Sequence, residues 1–472
     1  MFNKKSNPSP SLPVKPSLFK RLLNKLMILV LLSGAAALTF FLLTSRFSPI
    51  FILGPDIYQA PHVTKDMMTP EFWINQIPNP QKSLKPIQEE NLSYLDQSEL
   101  TQAEIIQVLN KDMASLLGRK LYDRNLHEVN VSDENHLKAM QFQNLIPSIT
   151  KVQFGVLTRD TPLRILPTYE PLTQKPGDLE FDELENSRAR SFRVAKIIHT
   201  TQEEDWYYVV LSDQIRGWVS INDIALIPNA DTALHFLESK NFLIVLEDQI
   251  TVYADSNLTT PFSRIRMGTP IPLASEATEQ IDPLFYEVLI PIKTEGGKAE
   301  WIPGYVKRTD GLHQGYLPLT GENIIRQAFR LLGEPYGWGG QWSARDCSSY
   351  LQDIFSTMGL NLPRNSKDQA LVGLVRARFD GDTLAHEKLD ALDETPPAMS
   401  LLRLNGHIML YLGKAKDRHF VIHNTFGFRK KWLFKDQLIK VNQVIVSDLS
   451  LGEDSKGKSL FERLIAINTI AD

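Results

Sequence analysis

At 472 residues, 43% hydrophobic and 22% charged, the chain is long enough for about three domains and can bury real cores, which excludes disorder throughout, a collagen repeat and a polytopic membrane protein. Lys and Arg number 51 against 55 Asp and Glu, a formal net charge of −4, so the basic excess of a phosphate-backbone binder is missing and nucleic acid is not an expected partner. The single cysteine, Cys347, excludes an internal disulfide framework and a multi-thiolate metal site, leaving that thiol as a small core residue or a reagent.

Residues 1–50 read as a basic tail and an apolar segment. Lys4, Lys5, Lys15, Lys20, Arg21 and Lys25 stand without an acidic residue before the uncharged run Leu26–Ser45. That run is long enough to cross a bilayer as one helix, with the basic flank in the cytoplasm. Small residues at Ser33–Ala37 would suit a cleavable signal peptide, but apolar character resumes at Leu38–Leu43 and favours an uncleaved anchor. A core helix fits poorly, because the run has no polar face.

Residues 51–150 mix Pro-rich extended sequence with a helix expected over Thr101–Leu117. Thr101 followed by Glu104 is a capping-box pattern, and Ile105, Ile106, Leu109, Met113, Leu116 and Leu117 recur at helical spacing. The region needs a partner surface and carries no chemistry of its own.

From about Lys151 the period becomes two, with turn residues at short intervals, the signal of small all-β modules. Trp206–Leu211 and a return strand from Gly217-Trp218-Val219 predict a hairpin, and a looser copy follows at Phe285–Leu289 and Trp301–Val306. Two tandem β-barrels, at 151–229 and 230–318, are expected, with one larger β-sandwich as the alternative. After Pro318 the texture is mixed, with a helix over Glu322–Leu332, a Gly- and aromatic-rich loop Gly333–Gly340, a helix from Cys347, and strands at Ile408–Leu412 and Phe420–Ile422. Residues 319–472 are where chemistry is expected.

Asp346 is the expected N-cap of the Cys347 helix. Leu351, Ile354, Phe355 and Met358 mark its buried stripe, which places Cys347 in the first turn on the packed face. The positive helix end there favours thiolate. His407 and His423 lie on two strands flanking Gly413–Asp417. A hairpin centred near Ala415 would set His407 across from His423 and His419 across from Tyr411. One imidazole to take the thiol proton and a second group to orient it form a Cys–His–X constellation. Neighbouring histidines can also hold a metal, but no cysteine or carboxylate stands at matching spacing, so no metal and no cofactor are expected.

These residues resemble the catalytic domain of the NlpC/P60 peptidases, papain-like cysteine enzymes that cut bacterial cell-wall peptides. The matching pieces are Pro335-Tyr336-Gly337-Trp338-Gly339-Gly340, Asp346-Cys347-Ser348, Leu362-Pro363-Arg364-Asn365-Ser366 with Gln369, Gly406–Gly413 and Ile422-His423-Asn424. Leu163–Thr168, Asp182, Ser187, Trp206 and Gly217-Trp218-Val219 resemble the bacterial SH3 module preceding that domain in one branch of the family, which also has a second such module and an N-terminal stabilising segment. The resemblance implies an α+β fold, with a papain-like domain preceded by two SH3-like β-barrels and a partly helical N-terminal segment. It implies Cys347 as nucleophile, His407 as base and then acid, and His423 as orienting residue. It also implies hydrolysis of the γ-D-glutamyl bond to diaminopimelate or lysine in peptidoglycan stem peptides. Tyr336, Trp338, Asp346 and Ser348 would shape the substrate pocket, Asp346 pairing with the substrate's N-terminal ammonium and the adjacent glycines letting backbone approach the peptide. Ser349 and Asn405 depart from residues common in the family, in places that bear on pocket shape. The implied location is the bacterial cell envelope, anchored in the cytoplasmic membrane through Leu26–Ser45 with the catalytic domain periplasmic, or secreted if cleaved. A non-catalytic wall-binding protein and an acyltransferase using the same thioester are the alternatives.

Overall fold

The computed structural model describes residues 50–51, 57–87, 97–131, 133–203, 205–212, 215–229, 231–232, 240–274, 283–432 and 435–471. The chain divides into two units, 1–51 and 52–472. Within the first, the short strand Ile50–Phe51 is described, and the expected anchor Leu26–Ser45 lies outside the described residues. Among the described residues no helix is long and apolar enough to cross a membrane.

In the second unit, the segment expected as one arm divides between two partner surfaces. Residues 57–87 join the core of the last domain. Pro70 opens the helix Pro70–Ile74, suiting its fixed φ to the first turn. Trp73 is fully buried, its Nε1 donating to the Met67 carbonyl at 2.8 Å and its ring 5.4 Å from Phe420. Main-chain bonds from Leu84 to Leu319 and from Ile87 to Ile470 fix the path. Residues 97–151 pack instead on the first β region. The Thr101–Glu104 capping box forms, and the helix runs Gln102–Met113, shorter than expected. Ile105 and Leu109 enter a cluster with Trp206, Tyr208 and Trp218. The Asp112 carboxylate accepts from Arg216 at 2.7 Å and from the Tyr208 hydroxyl.

The first β region is a seven-stranded antiparallel sheet. Its order is Ile224–Ile227, Gln153–Leu157, Val194–Thr200, Trp206–Ser212, Ile215–Ser220, Thr161–Arg164, Glu185–Ala189. The return strand of its hairpin begins at Ile215 rather than Gly217, with Val209 opposite Gly217. The second region holds a three-stranded sheet (Pro270–Pro272, Phe242–Val245, Leu312–Gln314) and a four-stranded one (Pro261–Arg266, Gln249–Tyr253, Ala299–Lys307, Phe285–Lys293). The closed barrels expected from the sequence are not found among the described residues. The two edges of the first sheet are used elsewhere: the Leu226 amide donates to Gly297 of the second region at 2.9 Å, while Glu185–Ala189 lies against the Gly-rich loop of the last domain, where Arg188 Nε donates to the Gly340 carbonyl at 2.8 Å.

The last domain has the mixed α and β layering that was expected. Its strands run in the order Lys435–Asp448, Arg418–Trp432, His407–Ala415, Ser400–Leu404, Ala466–Thr469, Leu374–Arg378. The helices Gly321–Arg330 and Cys347–Ser356 cover it, burying Ile324, Ile325, Leu351, Ile354 and Phe355 against Leu410, Phe420 and Ile422. Thr320 caps the first helix by accepting from Asn323 N at 3.1 Å.

One buried charge cluster joins three parts of the chain beneath the Cys347 helix. Asp353 Oδ2 accepts from Arg345 Nε at 2.7 Å and Arg266 NH2 at 2.8 Å, and Asp353 Oδ1 lies 3.7 Å from Arg190. Arg190 belongs to the first β region and Arg266 to the second. Burial acts to raise the Asp353 pKa, but the three guanidinium groups outweigh it and hold the carboxyl down at about 2.

Candidate active site

Asp346 and Ser349 form a reciprocal capping box at the start of Cys347–Ser356: Asp346 Oδ1 accepts from Ser349 N at 2.8 Å, and Ser349 Oγ from Asp346 N at 2.9 Å. Ser349, the departure from the family pattern, therefore completes the cap. Cys347 occupies the first turn as expected and is 7% exposed, its thiol facing the backbone amide of Ile408, the residue after His407. Burial first, and the Asp346 charge second, push the thiol up to about 12. The expected thiolate bias of the helix end is thus outweighed, and the resting sulfur is protonated.

His407 and His423 meet, with His407 Nε2 2.7 Å from His423 Nδ1. The register that brings them together differs from the expected one. The hairpin closes at Ala415 and Arg418 around Lys416 and Asp417, whose φ of 48° and 58° make a two-residue turn of the type favoured by strand twist. Next to that turn His419 faces Lys414 rather than Tyr411, and an irregularity between Tyr411 and Gly413 shifts the pairing once more, so that Leu410 faces Ile422. His407 therefore reaches His423 as a diagonal neighbour. His419 turns to the Tyr411 hydroxyl at 2.7 Å and to Asp393 at 3.4 Å, outside this pair.

His423 is 1% exposed, and its Nε2 lies 3.1 Å from Ser447 Oγ. Ser447 escaped the sequence reading, because a serine on a strand twenty-four residues further along carries no spacing signal. Burial, and then the neighbouring Arg463, push His407 down to about 4. Burial, and then His407, hold His423 well below its usual range. Both rings are neutral near pH 7. If His407 Nδ1 is the atom that takes a proton, its Nε2–H donates to His423 Nδ1 and His423 Nε2–H donates to Ser447 Oγ, a relay that fixes both tautomers.

Of the residues expected to shape a pocket, Asp346 and Ser348 flank Cys347 in the chain. The Tyr336 hydroxyl is largely buried, and burial first and the Asp346 charge second raise its pKa. Trp338 is 37% exposed and meets Phe181 of the first β region edge-on at 5.5 Å. Phe426 joins them, 4.9 Å from Phe181 and 6.1 Å from Tyr336. Gly339 and Gly340, with φ of 62° and 99°, serve a different neighbour from the one expected: a Cβ on Gly340 would come within 2.6 Å of Arg188 Cβ, and one on Gly339 would strike the Glu185 carbonyl. The strand Glu185–Ala189, rather than a substrate, occupies that approach. Ser348 Oγ donates to Asp346 Oδ1 at 3.2 Å. Asn424 Nδ2 donates to the Arg345 carbonyl at 2.8 Å, tying the His423 strand to the start of the Cys347 helix. Among the described residues, no group of three or more His, Cys, Asp or Glu side chains is placed to hold a metal ion.

A cysteine at a helix start facing a strand whose histidine is hydrogen-bonded to a histidine of the next strand is an arrangement that can activate a thiol. Residues 333–427 match the NlpC/P60 family, so the C-terminal part of the chain carries an NlpC/P60 domain. The chain is 34% identical over 153 residues to a gamma-D-glutamyl-L-lysine dipeptidyl-peptidase of Bacillus subtilis (strain 168), a match covering 31% of this chain and 48% of that protein. It is 26% identical over 138 residues to the protein of the same name in Bacillus cereus (strain ATCC 10987 / NRS 248), covering 28% of this chain and 38% of that one. The chain thus spans about half or less of the length of these curated relatives. Among solved structures, an NlpC/P60 endopeptidase from Photobacterium damselae subsp. piscicida superposes with a TM-score of 0.65 at 17% identity, over 88% of this chain and 97% of that one. That likeness concerns the fold.

Proposed function

We propose that the chain is a thiol hydrolase of bacterial cell-wall peptides, cutting the γ-D-glutamyl bond to diaminopimelate or lysine. The observation that carries this reading is the 2.7 Å contact between His407 and His423 beside the buried start of the Cys347 helix. The NlpC/P60 match and the names of the two Bacillus relatives support the substrate class. In this reading Cys347 Sγ attacks the γ-glutamyl carbonyl as its proton passes to His407. The imidazolium then protonates the leaving amine as the C–N bond breaks, and water activated by His407 hydrolyses the thioester and restores the thiol. His423 and Ser447 hold the His407 ring so that one nitrogen faces this chemistry throughout.

Tyr336, Trp338 and Ser348 are read as pocket residues, with Phe181 adding a wall from the first β region. Asp346 is read as the group facing a substrate ammonium. The two β regions are read as SH3-like modules, and Leu26–Ser45 as an anchor holding the catalytic domain on the outer side of the cytoplasmic membrane.

Mass spectrometry of L-Ala-γ-D-Glu-diaminopimelate and the matching lysine peptide, each with free and acetylated amine, tests the reading. Release of the diamino acid from the free-amine peptides alone supports both the reaction and the ammonium role. Cleavage of both forms keeps the peptidase and removes the ammonium role. A folded protein that cleaves neither form overturns the proposal.

A further inference from the structure

The Leu362–Ser366 motif holds Arg364, to which the reaction above gives no part. Its side chain is buried and makes four bonds at the thiol end of the helix. NH2 donates to Asp346 Oδ2 at 2.6 Å, and NH1 to Asp346 Oδ1 at 3.2 Å and Ser348 Oγ at 2.8 Å. Nε donates to Ser187 Oγ at 2.7 Å. Ser187 lies on the edge strand of the first β region and is itself buried. Gln369 of the same stretch donates to the carbonyls of Ser348 and Pro363, both at 2.9 Å. The guanidinium fork is thus held in one orientation from two sides.

We propose that Arg364 is a positioning residue for the Cys347 centre: its fork fixes the Asp346 carboxylate, offsets part of that carboxylate's charge next to the thiol, and ties both to the first β region through Ser187. The proposal adds to the thiol chemistry above but does not need the peptide substrate. A bare carboxylate one residue from Cys347 opposes ionisation of the sulfur, and a buried cation sharing that carboxylate reduces the opposition. Asp346 raises and Arg364 lowers the thiol's pKa in keeping with this. The other titratable groups around the thiol are Tyr336 and the His407 pair, with Arg463 behind His407. Arg364 is the cation bonded directly to the cap of the nucleophile helix.

The chain's one cysteine permits a test without substrate: the pH dependence of Cys347 alkylation by iodoacetamide, in the full chain. Arg364→Gln should move the alkylation midpoint up by at least about one pH unit, and Arg364→Lys, which keeps the charge, by less than half of that. Adding Asp346→Asn to Arg364→Gln should bring the midpoint back towards the parent value, because the uncompensated carboxylate is gone. Ser187→Ala, which leaves both charges in place, should slow alkylation at pH 7 about threefold by loosening the fork. Thermal melts accompany every variant. An Arg364→Gln protein that melts like the parent with an unmoved midpoint overturns the proposal, as does a lysine variant shifted as far as the glutamine one. If Arg364→Gln does not fold, the lysine and Ser187→Ala variants decide, and parent-like alkylation in Ser187→Ala overturns the link to the β region. Normal alkylation behaviour in a protein that cuts no peptide would count against the peptidase reading and leave this one standing.

Discussion

His407 Nε2 lies 2.7 Å from His423 Nδ1 although the two residues are not cross-strand partners, since the pairing Leu410–Ile422 places them diagonally. His419, four residues before His423 on the same strand, is engaged with Tyr411 instead. His423→Ala should lower kcat/KM by about 10²–10⁴, the usual range for a general-base system deprived of its orientation. His419→Ala should stay within about threefold of the parent on the same peptides. Equal losses at the two positions would contradict the pairing seen here.

Cys347→Ala should remove turnover and leave the melting transition close to that of the parent, because the loss is one sulfur at the edge of the core. Differential scanning calorimetry alongside the peptide assay separates the outcomes. A collapsed melt would identify Cys347 as packing rather than chemistry.

His407 is held neutral by burial, its folded pKa of about 4 lying below the ordinary 6.5. The unfolded chain therefore binds the proton first as pH falls, so the stability linked to this group is full above about 6.5 and is lost on descending to about 4. Urea titrations at pH 7 and pH 4.5 should show that loss, and His407→Gln should reduce it. Peptide cleavage by the folded enzyme should hold through most of that descent and fall only as pH nears about 4, where the base itself becomes protonated.

Trp73 is fully buried in a core it shares with Cys347, which lies far along the chain. Trp73→Ala should cost about 3–5 kcal/mol, read by chemical denaturation, and should lower the temperature at which activity is lost. A change under about 1 kcal/mol would show that residues 57–87 are an accessory to the domain rather than part of it.

Asp353→Asn would leave Arg190, Arg266 and Arg345 facing one another without their shared anion. Breaking such a cluster costs about 3–5 kcal/mol. The parent's Asp353, held at about 2 against an ordinary 3.8, contributes stability that is full above about 3.8 and lost as pH falls through about 2. Acid unfolding followed by circular dichroism should show a shallower acid limb in the variant.

Much of the last domain, and one helix before it, was legible because the signals are local. The helix from Cys347, its Asp346 cap, the Thr101–Glu104 box and the strands carrying both histidines follow from spacing and side-chain type. The hairpin register was not legible: Lys416-Asp417 is an unusual pair for a turn with two positive φ angles, and the Tyr411–Gly413 irregularity leaves no mark in composition. The fate of the β edges was equally hidden, because Leu226 and Arg188 find their partners in other modules. Ser447, Arg364 and Ser187 belong to the same class, polar residues whose meaning comes from long-range partners. The thiol's protonation also depends on burial, which a helix position alone does not convey.

The bonds from Leu84 to Leu319 and from Ile87 to Ile470 bracket the two β regions between the first and last parts of one core. Trp73 has no floor until the strand bearing Phe420 exists, and Arg190 and Arg266 lack their shared carboxylate until Asp353 arrives, although Arg266 already has Asp160 3.7 Å away. During synthesis the β regions can gain their internal hydrogen bonds early, but the thiol centre assembles only when nearly the whole sequence is available. Contacts of such long sequence separation make for slow folding, and a nascent chain halted before the last strands would carry β modules and no reactive centre.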